Sequence, residues 1–128
     1  MTIFIYYADY VDLPLPEGHR FPHEKYSLTR SELIKSGFPD SVFKPSPLAT
    51  KEQLLRSHSS EYIEKIFTGE LSRREQLKIG FPWSESLVKR CLASTGGTIA
   101  AAYQALECGY GAQLAGGTHH AHYEFGGG

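Results

Sequence analysis

Net charge, cysteine and long apolar runs are all scarce in this sequence, and each shortage closes off a class of function. Thirteen basic residues stand against 14 acidic ones over 128 positions, so no broad charged face is expected to draw nucleic acid or an anionic membrane. The longest mostly apolar stretches, Ile3 to Tyr7 and Cys91 to Ala102, are too short or too polar to span a bilayer. The start, Met1-Thr2-Ile3, has no basic segment of the kind that opens a secretion signal. The only cysteines, Cys91 and Cys108, fall 17 residues apart in one helical pattern, too far to bridge along a straight helix. A reduced, cytoplasmic chain is the simplest expectation. Aspartate is confined to Asp9, Asp12 and Asp40, all in the first third. The hydrophobic share of 41% and charged share of 21% are by contrast ordinary, which fits one domain with a modest core rather than disorder.

Along the chain, Thr2 to Tyr7 is dense in β-branched and aromatic residues and apolar on both faces, as expected of a strand buried inside a sheet. Asp9 to His23, with Pro14, Pro16, Gly18 and Pro22, is expected to be a long loop. Tyr26 to Ser36 reads as a helix stopped by Gly37, and Phe38 to Leu48 as a connection with a possible short strand at Val42-Phe43. Thr50-Lys51-Glu52-Gln53 and Ser72-Arg73-Arg74-Glu75 each have the form of a capping box, and Ser59 or Ser60 starts a helix ended by Thr68-Gly69. From Ser84 to Cys108, Leu87, Cys91, Leu92, Ile99, Ala102, Tyr103 and Leu106 recur at spacings of three and four, the stripe of a long core-facing helix stopped by Gly109. Gly96-Gly97 inside it is unfavourable by roughly 1 kcal/mol per glycine relative to alanine, so something is expected to pack closely there. Gly111 to Ala115 gives a second strand. Two strands form a poor sheet with exposed edges, so the chain is expected to be completed by further strands or by another copy.

Chemistry is concentrated in Gly116-Gly117-Thr118-His119-His120-Ala121, at the carboxyl end of that second strand. Histidine changes charge near neutral pH, and two adjacent imidazoles at a strand tip suit proton transfer at one reacting centre. The plainer reading of such a pair is two loop histidines. His58 at a helix start, and His19 and His23 in the loop, likewise read first as structural, Tyr6 and Tyr7 as sheet core, and Trp83 as a packing or surface aromatic. A strand, a block of helices and a strand delivering this loop point to an α/β sheet with a site at the strand tips.

Four segments in order resemble the amino-terminal part of the histone deacetylase superfamily, the zinc-dependent amidohydrolases that include acetoin-utilisation proteins and acetylpolyamine amidohydrolases. Gly18-His19-Arg20-Phe21-Pro22-His23-Glu24-Lys25-Tyr26 resembles the family's first loop, His58-Ser59-Ser60-Glu61-Tyr62-Ile63 its "H-S-x-x-Y-I" helix start, and Ser94-Thr95-Gly96-Gly97-Thr98 its "S-T-G-G-[ST]". Leu114 to Ala121 is similar to the "A-G-G-x-H-H-A" that carries the tandem catalytic histidines. The resemblance implies the three-layer α/β/α arginase/deacetylase fold with a mainly parallel sheet. It implies a Zn2+ cofactor and an acetylated lysine or acetylated amine as substrate. By it, zinc and His120 activate a water, His120 then gives a proton to the leaving amine, and His119 orients the water. Gly128 matches a glycine beside the acyl-lysine tunnel, His19 lies near the site rim, and Lys25 or Arg20 approximates a basic residue near the inner acetate cavity.

The same family holds its zinc with an Asp-x-His pair and a later Asp, downstream of the tandem histidines, and carries an oxyanion-stabilising Tyr beyond those ligands. None of these occurs in the 128 residues. A catalytic zinc needs three protein ligands, so the metal-site expectation for this chain is none. Residues 1–128 are read as one partial deacetylase domain, truncated before the zinc ligands and inactive alone. A non-catalytic product that self-associates or acts as a binding module is the alternative. A small metal site on His119, His120 and His122 is a third reading, weakened because adjacent residues rarely face one ion.

Overall fold

The structure, a computed structural model, describes residues 2–117 and 120–128. Its centre is a parallel sheet in which β1 (Ile5–Tyr7) lies between β2 (Phe43–Pro45) and β3 (Ala112–Gln113). Ile5 pairs with Phe43 on one side and Ala112 on the other. The aromatic and β-branched run at the amino terminus thus takes the middle position, as the sequence predicts. β2 takes an edge, where Pro45 can sit without an N–H to donate inward. It realises the short strand read at Val42-Phe43, beginning at Phe43, and corrects the two-strand reading: among the described residues the sheet has three strands, and β4 (His120–Ala121) with β5 (Gly126–Gly127) adds a separate antiparallel hairpin. β1 and β3 are half-buried rather than sealed on both faces, and so are Tyr6 and Tyr7.

Five α-helices occur among the described residues, α1 (Lys25–Lys35), α2 (Lys51–Leu55), α3 (Ser60–Thr68), α4 (Arg73–Ile79) and α5 (Glu85–Cys108), and α5 packs against β1 and β3. Asp9 to His23 contains no regular element, as its prolines require. Both capping boxes form in full. The Thr50 hydroxyl accepts from the Gln53 amide and the Gln53 side chain from the Thr50 amide, with the same exchange between Ser72 and Glu75. Ser59, not Ser60, caps α3, and Gly69 ends it in the left-handed conformation at φ 77°.

One cluster of the core consists of Ala8, Val11, Tyr26, Ala93 and Ala115, with Phe21 packed against it, and Phe43, Ile63, Leu87 and Val88 are buried as well. α5 reaches the sheet through its glycine pair. A Cβ on Gly96 would lie within the Pro47 carbonyl and 2.7 Å from the Ala49 nitrogen, and one on Gly97 would strike Gln113 and Ser46. The close packing expected at Gly96-Gly97 is therefore a backbone-to-backbone approach at Gly96 and a contact with the Gln113 and Ser46 side chains at Gly97. Farther along, the Gln104 amide group bonds both backbone groups of Phe4, at 2.8 and 2.9 Å, and fixes β1 against α5.

The stripe read along α5 needs correction. Its buried residues are Leu87, Val88, Arg90, Ala93, Gly96 and Gly97, whereas Cys91 is exposed and Tyr103 and Leu106 are 60% and 83% exposed. Periodicity identifies an apolar face but cannot say whether anything covers it. No helix among the described residues is long and apolar enough to cross a membrane.

Glu75 supports a pH prediction. Hydrogen bonds from the Ser72 backbone and side chain, and the Lys65 ammonium at 3.3 Å, hold its carboxyl below the ordinary range, partly opposed by burial. A carboxylate with a depressed folded pKa contributes stability that is present above its unfolded pKa and lost as pH falls through the folded value. Melting temperature is therefore expected to fall between about pH 6 and about pH 3, and to fall less in Glu75→Gln. Thermal melts of both proteins across that range check it, and parallel curves would refute it.

Candidate active site

β3 delivers the glycine pair to a hollow of about 290 Å³ on one side of α5. The turn after β3 is fastened to α5: the Gln113 side-chain nitrogen donates to the Ser94 carbonyl at 2.9 Å and to the Ala115 carbonyl, and the Ser94 hydroxyl donates to Ala115 at 3.1 Å. Ala115 is 1% exposed, so Gly116 and Gly117 leave from a fixed point. Both line the hollow, as does His120 where the chain re-enters regular structure at β4. Thr118 and His119 lie outside the described residues.

Most of the wall is apolar: Leu13 and Phe21 from the long loop, Ile63 and Ile66 from α3, Ile79 from α4, and Leu87 and Val88 from α5. Trp83 belongs to the wall too, its indole N–H donating to the Ile66 carbonyl at 2.7 Å. It is thus a packing aromatic with a satisfied polar end. Polar groups are few. Burial raises the Tyr62 phenol pKa, with Cys91 and Glu75 adding to the effect. Burial likewise raises the Cys91 thiol against the opposing influence of Arg90, although the opening of the hollow leaves part of that residue exposed. Arg90 itself is 7% exposed, donating to the Val11 carbonyl at 2.8 Å and lying 4.9 Å from the centre of the Tyr26 ring.

Of the residues that the resemblance places in catalysis or substrate binding, only His120 among the described ones lines this hollow, beside Gly116-Gly117, Trp83 and His58, the last two read as structural. His19 is a bracket for the long loop: Nε2 meets the Gly80 carbonyl at 3.1 Å and Nδ1 accepts from the Phe21 amide at 3.2 Å. Lys25 is exposed, its ammonium 4.9 Å from the Phe21 ring centre and 5.2 Å from that of Tyr26. Gly128 is exposed and donates to the Lys78 carbonyl at 3.3 Å. His58, read as structural, bonds the His122 carbonyl. Sequence reading missed the hairpin that carries His120. Its signal was the glycine run 126–128, where a Cβ on Gly126 would come 2.9 Å from the Tyr62 hydroxyl.

The described residues do not fit a catalytic zinc. No three His, Cys, Asp or Glu side chains among them converge, and Asp9 is engaged with Arg30 at 2.7 Å.

Comparison with known proteins shows the family and the fold. The histone deacetylase domain family matches residues 19–128, and the chain belongs to that family. An uncharacterized protein of Picosynechococcus sp. is 40% identical over 126 residues, which are 97% of this chain and 41% of that protein. The crystal structure of an HDAC homolog complexed with SAHA matches with a TM-score of 0.72 at 23% identity, over 97% of this chain and 36% of that one. The fold is therefore the α/β arginase/deacetylase fold, of which this chain spans well under half the length of its relatives.

Proposed function

We propose that residues 1–128 form the first part of one deacetylase domain, and that the full-length protein hydrolyses acetyl-amides of lysine or of small amines with a zinc cofactor. The observation that carries this is His120 on the wall of an apolar hollow, next to the Gly116-Gly117 turn that α5 holds in place. His120 takes a proton from the attacking water as the new C–O bond forms. It returns that proton to the nitrogen as the C–N bond breaks, giving a free amine and acetic acid, which releases its remaining proton to water as acetate. His119, beside it in sequence, orients the water. The zinc supplies Lewis acidity in the complete family domain, and its ligands are not among the described residues. Lys25, His19 and Gly128 remain proposed substrate-side residues, of which none lines the hollow. A cytoplasmic setting belongs to the same proposal.

Self-association of the 128-residue chain is the second reading, favoured by Leu106, Tyr110 and Tyr103, which are 83%, 71% and 60% exposed next to edge strand β3. One preparation separates the readings. Purified with excess zinc and offered an acetyl-lysine peptide, the 128-residue chain is expected to give no turnover, while a full-length form gives turnover. Full-length protein without hydrolysis would overturn the main reading. Light scattering on the short chain tests the second, and a monomer at about 100 μM would count against it.

A further inference from the structure

The hairpin that carries His120 has little of its own to hold it. β4 and β5 are each two residues long, and an isolated ribbon of that size is not stable in water. β5 leans on α4, where the Lys78 ammonium lies 3.6 Å from the Phe125 ring centre and the Lys78 carbonyl accepts from Gly128 at 3.3 Å, while the bend is held by the junction between α2 and α3. His58 Nδ1 lies 2.8 Å from the His122 carbonyl oxygen, and the Ser59 amide donates to the Tyr123 carbonyl at 2.9 Å. A carbonyl only accepts, so Nδ1 carries the proton and donates. The two gripped carbonyls are consecutive, and they fall between β4 and β5, at the bend of the hairpin. His122 closes the bend from within, its ring stacked 4.2 Å from Phe125 and its amide donating to the Phe125 carbonyl at 2.9 Å.

We propose that His58 is a positioning residue for His120: by holding the His122 carbonyl it fixes the hairpin from which His120 meets the hollow. This rests on the proton-transfer role given to His120 above. Ser59 shares the work through its backbone, and its side chain caps α3 through the Tyr62 amide at 3.1 Å. The grip therefore begins at the first turn of a helix whose Ile63 is 3% exposed, which gives it a rigid anchor.

The test uses the 128-residue chain without substrate, by amide hydrogen exchange and the imidazole resonances of His120. In His58→Ala, exchange at the His122 amide is expected to accelerate about tenfold relative to α5, the scale of one lost hydrogen bond, and the His120 resonances to move. His58→Asn, whose side-chain nitrogen can replace Nδ1, is expected to bring exchange back to within about threefold of the parent, whereas His58→Gln, which reaches toward the place of Nε2, does not. Unchanged exchange in His58→Ala, equal acceleration in the hairpin and α5, or failure of asparagine to rescue would each overturn the proposal. Should the alanine variant not fold, the asparagine and glutamine pair decides on the same readout. An inactive full-length protein would remove the role given to His120 and leave these exchange rates unchanged, so the two failures are distinguishable.

Discussion

Gly96→Ala is expected to destabilise the chain by at least about 3 kcal/mol and to lower its melting temperature by roughly 10 °C. Two effects oppose each other. Alanine in a helix interior is favoured over glycine by about 1 kcal/mol. Against this, the added methyl would occupy space held by the Pro47 carbonyl and lie 2.7 Å from the Ala49 nitrogen. Neither obstacle is the end of a flexible side chain. Ala49 also donates to the Leu92 carbonyl at 2.9 Å, so moving that segment breaks the bond that joins it to α5. Ser46 would move with it, and its amide extends the pairing of β2 with the Tyr7 carbonyl at 2.8 Å. The clash therefore outweighs the gain in propensity and spreads into the sheet. Gly97→Ala meets side-chain atoms of Gln113 and Ser46 instead, so its effect is expected to be smaller. Gly116→Ala, with nothing within 4 Å of the new methyl, is expected to change stability by less than about 0.5 kcal/mol. Denaturant melts of the three variants give the order directly, and a neutral Gly96→Ala would mean that α5 does not approach the 47–49 segment this closely.

That contact also shows which parts of the fold are legible in sequence. The capping boxes at Thr50 and Ser72 are signals spanning four residues, and the hydrogen bonds they announce close over the same distance. Gly96-Gly97 announces a close approach by its unfavourable placement, yet nothing local says that Pro47 is the neighbour. β2 is hard to read because Phe43-Lys44-Pro45 is short, ends in proline, and becomes a strand only through β1, far away in sequence. Arg90 falls on the buried face of α5 despite its charge, since the Val11 carbonyl and the Tyr26 ring receive it there. In the site, the Gly-Gly-x-His-His loop could be read by residue type. The hairpin could not, because two-residue strands rich in glycine show no alternation, and the bend between them is bonded by His58 and Ser59, far away in sequence.

The largest functional effect is expected from His120→Ala in the full-length protein: a fall in kcat of about 10²- to 10⁴-fold on an acetyl-lysine peptide, with KM changed far less. General acid–base transfer by a positioned side chain contributes on that scale, and here one imidazole is asked to do it in both directions. Stability should hardly move. His120 is exposed, and its pairing with Gly127 runs through the backbone, which alanine retains. A melting temperature within about 2 °C of the parent therefore separates loss of chemistry from loss of fold. If kcat stays within about threefold of the parent while hydrolysis continues, the proton is carried by another group, and the hollow beside Gly116 and Gly117 is not where the amide bond breaks.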